Sequence, residues 1–206
     1  NINWLLKAFQ DGGPAMFVIA AIGILAVLLI VERFSSLSKL TVDKASFTEN
    51  LFGMIVRGDI RQGVTFCDSR ATPLSMTLKA GLVQVMNRRP DEEVQVAMDA
   101  VVLQETPKIE GWTGFLAVFG NVSTLVGLFG TIVGLIHSFG AVSKADPGEK
   151  AQRLSMGIAE ALNCTAFGLV VAIISIVAYG YFQIRVSRIL NEVVESSMSM
   201  MNVVVA

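Results

Sequence analysis

The sequence is poor in the groups on which enzymes and nucleic-acid binders depend. Its 206 residues include one histidine, His137, and two cysteines, Cys67 and Cys164. Cys67 lies in a polar stretch and Cys164 in an apolar one. They have neither metal-site spacing nor the pattern of a disulfide framework, so no chemistry is assigned to them. There is no phosphate-binding glycine loop, no metal-ligand cluster and no nucleophile with a base and an orienting group, which sets an enzyme aside and leaves no cofactor to expect. Charge is equally sparse. Asp, Glu, Lys and Arg make up 16% of the chain and the net charge is -1, so nucleic acids and acidic ligands find no complementary field. Repeats, low-complexity tracts, Gly/Ser linkers and the period-two alternation of a half-buried sheet are also missing.

Apolar residues take up the space, at 53% of the chain, above what soluble domains carry. They gather in three long runs. Gly12 to Val31 holds 20 residues without a charge, opened by Gly13-Pro14 and closed by Glu32-Arg33, enough to cross about 30 Å of hydrocarbon as helix. This run is too long for a signal peptide and starts after Asp11, with no cationic leader beyond Lys7, so it reads as a retained span. A second uncharged run extends from Gly111 to Ser143 with Trp112 as an interfacial anchor, and a third from Leu154 to Phe182 with Tyr179 and Tyr181 near its far end. The third run contains one acidic residue, Glu160.

These runs divide the chain into an N-terminal stretch 1–11, spans 12–34, 111–143 and 154–183, a long intervening segment 35–110, a short connection 144–153 with Asp146-Pro147-Gly148 as its turn, and a tail 184–206. Ten of the 16 lysines and arginines fall between Arg33 and Lys108, and Arg185 and Arg188 follow the third span. The positive-inside tendency therefore puts the long segment and the C-terminus in the cytoplasm and the N-terminus and the 144–153 connection in the periplasm. The long segment reads as short helices, Asp43 to Arg57, Ile60 to Arg70, Pro73 to Asn87 and Asp91 onward. The last starts well at Pro90 followed by three acidic residues and is expected to run toward the second span with a kink at Pro107. The fold class is an all-α integral membrane protein: three transmembrane helices with a helical cytoplasmic segment.

Inside the spans the pattern departs from that of a lipid-facing helix. The second carries Gly120, Thr124, Gly127, Thr131, Gly134 and Ser138, the third Gly157, Ala161, Thr165, Gly168, Ala172 and Ser175. Both series step by four and three residues, which draws one stripe along a helix. Small residues let backbones approach and hydroxyls hydrogen-bond, so matched stripes imply helix packing or a polar passage. With a rise of about 1.5 Å per residue and opposite chain directions, Thr131 and Thr165 come to similar depth, as do His137 and Glu160. On periodicity alone, such threonines most often satisfy their own backbone carbonyls. A lone histidine near a helix end is most often a polar anchor. Glu160 can snorkel or pair with Arg153, yet a carboxylate within a span is a functional candidate by default, because holding it charged there costs on the order of a few kcal/mol. Glu160 and Thr165 are about 140° apart on the helical wheel, so both cannot point straight down one narrow pore. Asn163 lies beside Glu160, and Thr124, Ser138, His137, Asn163 and Ser175 are secondary polar candidates.

The runs Gly127-Leu-Phe-Gly-Thr-Ile-Val-Gly134, Gly157-Ile-Ala-Glu-Ala-Leu162 and Thr165-Ala-Phe-Gly-Leu169 resemble the signature of the MotA/TolQ/ExbB proton-channel family. The resemblance extends over most of the chain, and three spans favour its ExbB/TolQ branch. It implies a homopentamer of the bacterial inner membrane whose second and third spans surround a pore. That pore would hold the single membrane helices of two ExbD/TolR-like partners, whose aspartate would carry the ion, H+ by this reading. It further implies that Thr131 and Thr165 are the threonines beside that aspartate, that Glu160 is the third-span glutamate, and that a TonB/TolA-like or motility protein takes up the work. A self-contained ion channel and a membrane scaffold are the competing classes.

Overall fold

A computed structural model of the chain describes residues 13–40, 43–143 and 146–205. The expected N-terminal stretch 1–11, the first residue of span one and Lys144 lie outside the described residues. Seven helices occur among the described residues: α1 Gly13–Leu40, α2 Lys44–Val56, α3 Ile60–Asp68, α4 Pro73–Met86, α5 Asp91–Glu110, α6 Thr113–Ser143 and α7 Lys150–Val205. Three of them, α1, α6 and α7, are long and apolar enough to cross a membrane. The chain divides into two compact units, one taking in the chain up to Glu32 with Trp112–Tyr181, the other Arg33–Gly111 with the chain from Phe182 onward.

The first unit is built from the three apolar helices. Gly13 opens α1 at φ +69°, a conformation that costs glycine little, and Pro14 follows in the first turn, where a missing N–H breaks no hydrogen bond. Side chains of α1 such as Met16, Ile19 and Ala26 are buried, whereas Phe17, Ile24, Leu28 and Val31 are exposed, as befits a helix with one face on protein and another on hydrocarbon. An aromatic row leads into α6: the rings of Trp112, just before the helix, and Phe115 lie 5.1 Å apart, and those of Phe115 and Phe119 6.2 Å apart.

The second unit has its own core. Phe47 and Leu51 of α2, Cys67 of α3, Leu74, Leu78 and Leu82 of α4, Val94 and Met98 of α5, and Val193 and Met200 of α7 form one buried cluster, each large side chain contributing about 1.5–3 kcal/mol by burial. The sequence signals the boundaries. Gly58 makes the α2–α3 turn at φ +84°. Thr72 caps α4 through a reciprocal box with Ser75 while Pro73 takes the first helical position. Asp91, Glu92 and Glu93 fill the first turn of α5, where negative charge meets the positive end of the helix dipole. Ion pairs Lys44–Glu195 at 2.5 Å and Lys79–Asp68 lie on the surface and add little.

The expected run of α5 into the second span does not occur. Pro107 sits within α5 without ending it, and the helix stops at Gly111, whose φ of +46° turns the chain out of helical geometry. A Cβ at Gly111 would run into the guanidinium of the buried Arg33, with Cζ at 2.7 Å. At the other extreme, α7 passes through the charged residues Lys150, Arg153, Arg185 and Arg188 without interruption, over 56 residues.

Candidate functional site

The two small-residue stripes pack against each other along α6 and α7. A Cβ placed on Gly127 would lie 3.3 Å from the Thr165 α-carbon, one on Gly168 would lie 2.6 Å from the Ser123 carbonyl oxygen, and one on Gly134 would lie 3.1 Å from the Ala161 methyl. Gly120 faces Ala172 and Ile176, and Gly157 faces Ser138. At Gly127 and Gly168 the neighbouring atoms are backbone, which cannot rotate away, so glycine is required there; at Gly120, Gly134 and Gly157 the nearest atoms belong to the side chains of Ile176, Ala161 and Ser138.

Thr131 and Thr165 meet in the middle of this seam. The Thr131 hydroxyl reaches its own-helix carbonyl of Gly127 at 3.1 Å and, across the seam, that of Ala161 at 3.2 Å. The Thr165 hydroxyl donates to Gly127 at 3.0 Å, and the two hydroxyls touch each other. Two hydroxyl protons thus face two carbonyls and each other's oxygen, so the same pair has several hydrogen-bond arrangements. The pair does more than satisfy its own helix.

The secondary candidates divide. Thr124, Ser138 and Ser175 donate to the carbonyls four residues earlier, Gly120, Gly134 and Val171, at 3.1, 2.7 and 2.8 Å, the usual fate of a hydroxyl in a membrane helix. Asn163 is half-buried. Arg153 pairs with Glu149 at 2.9 Å, so the pairing with Glu160 considered from sequence is replaced by one between the residue just before α7 and the first turn of that helix.

Glu160 and His137 line a common cavity of about 340 Å³. The elements forming it are the start of α1, with Gly13, Pro14 and Ala15, the stretch of α6 from Val126 to His137, and Glu160 with Ala161 of α7. Glu160 is therefore turned away from the threonine seam and toward α1, in keeping with their separation on the helical wheel. Its Oε1 lies 2.9 Å from where a Cβ of Gly13 would stand. Sequence reasoning missed Gly13, Gly130 and Ala161 as parts of this site. Gly13 is remote along the chain and carries no local signal, and Gly130 lies off the stripe, where Cys164 and Ala15 crowd it.

Residues 69–195, more than half of the chain, match the model of the MotA/TolQ/ExbB proton channel family. The chain belongs to this family. It is 28% identical to a putative biopolymer transport protein ExbB homolog of Methanothermobacter thermautotrophicus over 92% of this chain and 66% of that protein. It is 41% identical to the Tol-Pal system protein TolQ of Haemophilus influenzae over 45% of this chain and 40% of TolQ, and 45% identical to the biopolymer transport protein ExbB of Salmonella typhimurium over 34% of this chain and 28% of ExbB. The chain spans less than two thirds of the length of each of these relatives. Within this MotA/TolQ/ExbB chain the matched region includes the threonine pair, His137 and Glu160, and leaves out α1.

Proposed function

We propose that the chain is the multi-span subunit of an inner-membrane motor that couples proton flow to work in the cell envelope, of the TonB or Tol type or for gliding motility. In this reading it assembles as a pentamer around the membrane helices of two ExbD/TolR-like partners, with its N-terminus periplasmic and its C-terminus cytoplasmic. The Thr131–Thr165 pair carries the proposal: two hydroxyls from different spans, in contact within a seam otherwise made of backbone and small side chains. Such a pair can solvate or relay a proton near a partner's carboxylate without itself ionising. No covalent reaction is involved. Family membership supports the ion, and the chain's single acidic residue within the apolar part of its spans supports a carboxylate supplied from outside.

Proton flux into liposomes holding the chain with and without its single-span partner tests this. Partner-dependent flux that is abolished in Thr165→Val and reduced in Glu160→Gln is expected. Equal flux without the partner would mean a self-contained channel, and loss of neither variant's flux would remove these residues from the pathway.

A further inference from the structure

The cavity beside Glu160 is open and lined by two ionisable side chains, both exposed in the protomer, and neither belongs against lipid. His137 and Glu160 are on different helices, each the only ionisable group that its own helix brings to the cavity. Groups of this kind within spans face protein or water, because hydrocarbon penalises them. At about 340 Å³ the cavity greatly exceeds the ~30 Å³ that one water occupies in the liquid. Its floor adjoins the threonine seam, since Ala161 lines the cavity while its carbonyl accepts from Thr131, and Gly130 and Gly134 flank Thr131 on α6. The first turn of α1 forms another wall: Gly13 lies against the Glu160 carboxylate, which would have to move aside for a larger residue, and Pro14 follows.

We propose that this cavity is a hydrated proton-collecting vestibule in which His137 loads protons onto Glu160. The inference rests on the proton-motor reading and extends it by naming the entry. Imidazole is the side chain able to take and give a proton across the range near neutrality. In the step, an N–H bond of protonated His137 breaks and an O–H bond forms on the Glu160 carboxylate, directly or through a cavity water. His137 returns to its neutral form and is reprotonated from the outer solution. The Glu160 proton then leaves for the partner's membrane carboxylate, and Glu160 is again an anion. Among the described residues no other charged group lines the cavity: α1 brings no titratable group to it, α6 brings His137 alone, and α7 brings Glu160, with the thiol of Cys164 one turn along α7 against Gly130 and Arg153 engaged by Glu149.

The test compares wild type, His137→Gln, His137→Gly and Thr165→Val in liposomes of the full complex, with the outer pH varied. The expected result is several-fold lower flux in both His137 variants at neutral outer pH, recovery toward wild type in acidic medium, where the bulk supplies protons directly, and restoration of His137→Gly flux by imidazole added outside. Wild-type flux in the His137 variants at every pH overturns the vestibule, as does a uniform loss that neither acid nor imidazole relieves. If Thr165→Val still abolishes flux in either case, the motor reading stands and only the vestibule falls. A second measurement is independent of conduction. With one histidine in the chain, nitrogen-15 histidine labelling reports His137 alone, and its ring signals should exchange with water and change in Glu160→Gln. Signals indifferent to that substitution overturn the proposal.

Discussion

Single residues in the seam differ in what their hydroxyls do, and this decides the outcome of removing them. Ser123 is fully buried, and its hydroxyl has no hydrogen-bond partner among the described residues. Deleting an unsatisfied polar atom recovers its desolvation cost, so Ser123→Ala should leave thermal stability in detergent unchanged within about 1 kcal/mol or raise it. The result that would contradict this is a clear loss comparable to a core truncation. Cys67 offers a different check. Burial above all, then the charge of Asp68, pushes its thiol up to about 11, with Lys79 opposing, from an ordinary 9.0. A raised folded value means that the unfolded thiol ionises first as pH climbs. The stability tied to Cys67 is thus intact below about 9 and is lost between about 9 and about 11. Thiolate absorbance of the folded protein in a Cys164→Ala background should appear only near the upper end of that window.

At the scale of elements, the α6–α7 seam distinguishes glycines that sequence alone does not separate. An alanine at 168 would press on the Ser123 carbonyl and the Gly127 α-carbon, both backbone, and should cost about 1–3 kcal/mol by forcing the helices apart. An alanine at 140 meets open space within the protomer and should gain up to about 1 kcal/mol of helix stability. Thermal unfolding of the two variants side by side tests the contrast. Much of this seam was legible beforehand, because four-and-three spacing of small residues is a geometric statement about one helix face, and two such faces in adjacent spans need each other. The ends of the helices were less legible. Charged residues at 150–153 and 185–188 close the apolar run of α7 without closing the helix, since no glycine or proline breaks its hydrogen bonding there. The α5 terminus was misread for the opposite reason: Pro107 looked like the disruption, while the turn belongs to Gly111, whose positive φ and proximity to Arg33 are tertiary facts. The Glu160 cavity was half legible. Depth arithmetic brought His137 and Glu160 level, but nothing local could bring Gly13 to them.

For the whole molecule, the membrane unit and the Phe47–Met200 core are separate packing problems solved by one chain. The second unit buries its apolar side chains in a cluster of its own, so damage to it is expected to show as lost stability before lost conduction. Leu78→Ala, which empties a fully buried site, should cost about 2–5 kcal/mol and lower the yield of assembled complex, while complex that does assemble conducts normally per particle. Native mass spectrometry beside the flux assay checks both halves of that statement. The same spectra test the proposed stoichiometry, a pentamer with two partner chains.

The seam between α6 and α7 has a mechanical corollary. Helices that interlock through large side chains resist sliding because ridges must climb over one another. Here the facing surfaces are mostly glycine, alanine and bare backbone, and the interlock is confined to a few side chains, Ile176 against Gly120, Cys164 against Gly130 and Ser138 against Gly157. The Thr131–Thr165 contact is the principal polar fastening across it, and it acts as a pin midway along the track, adding to those few notches in fixing the register of the two helices.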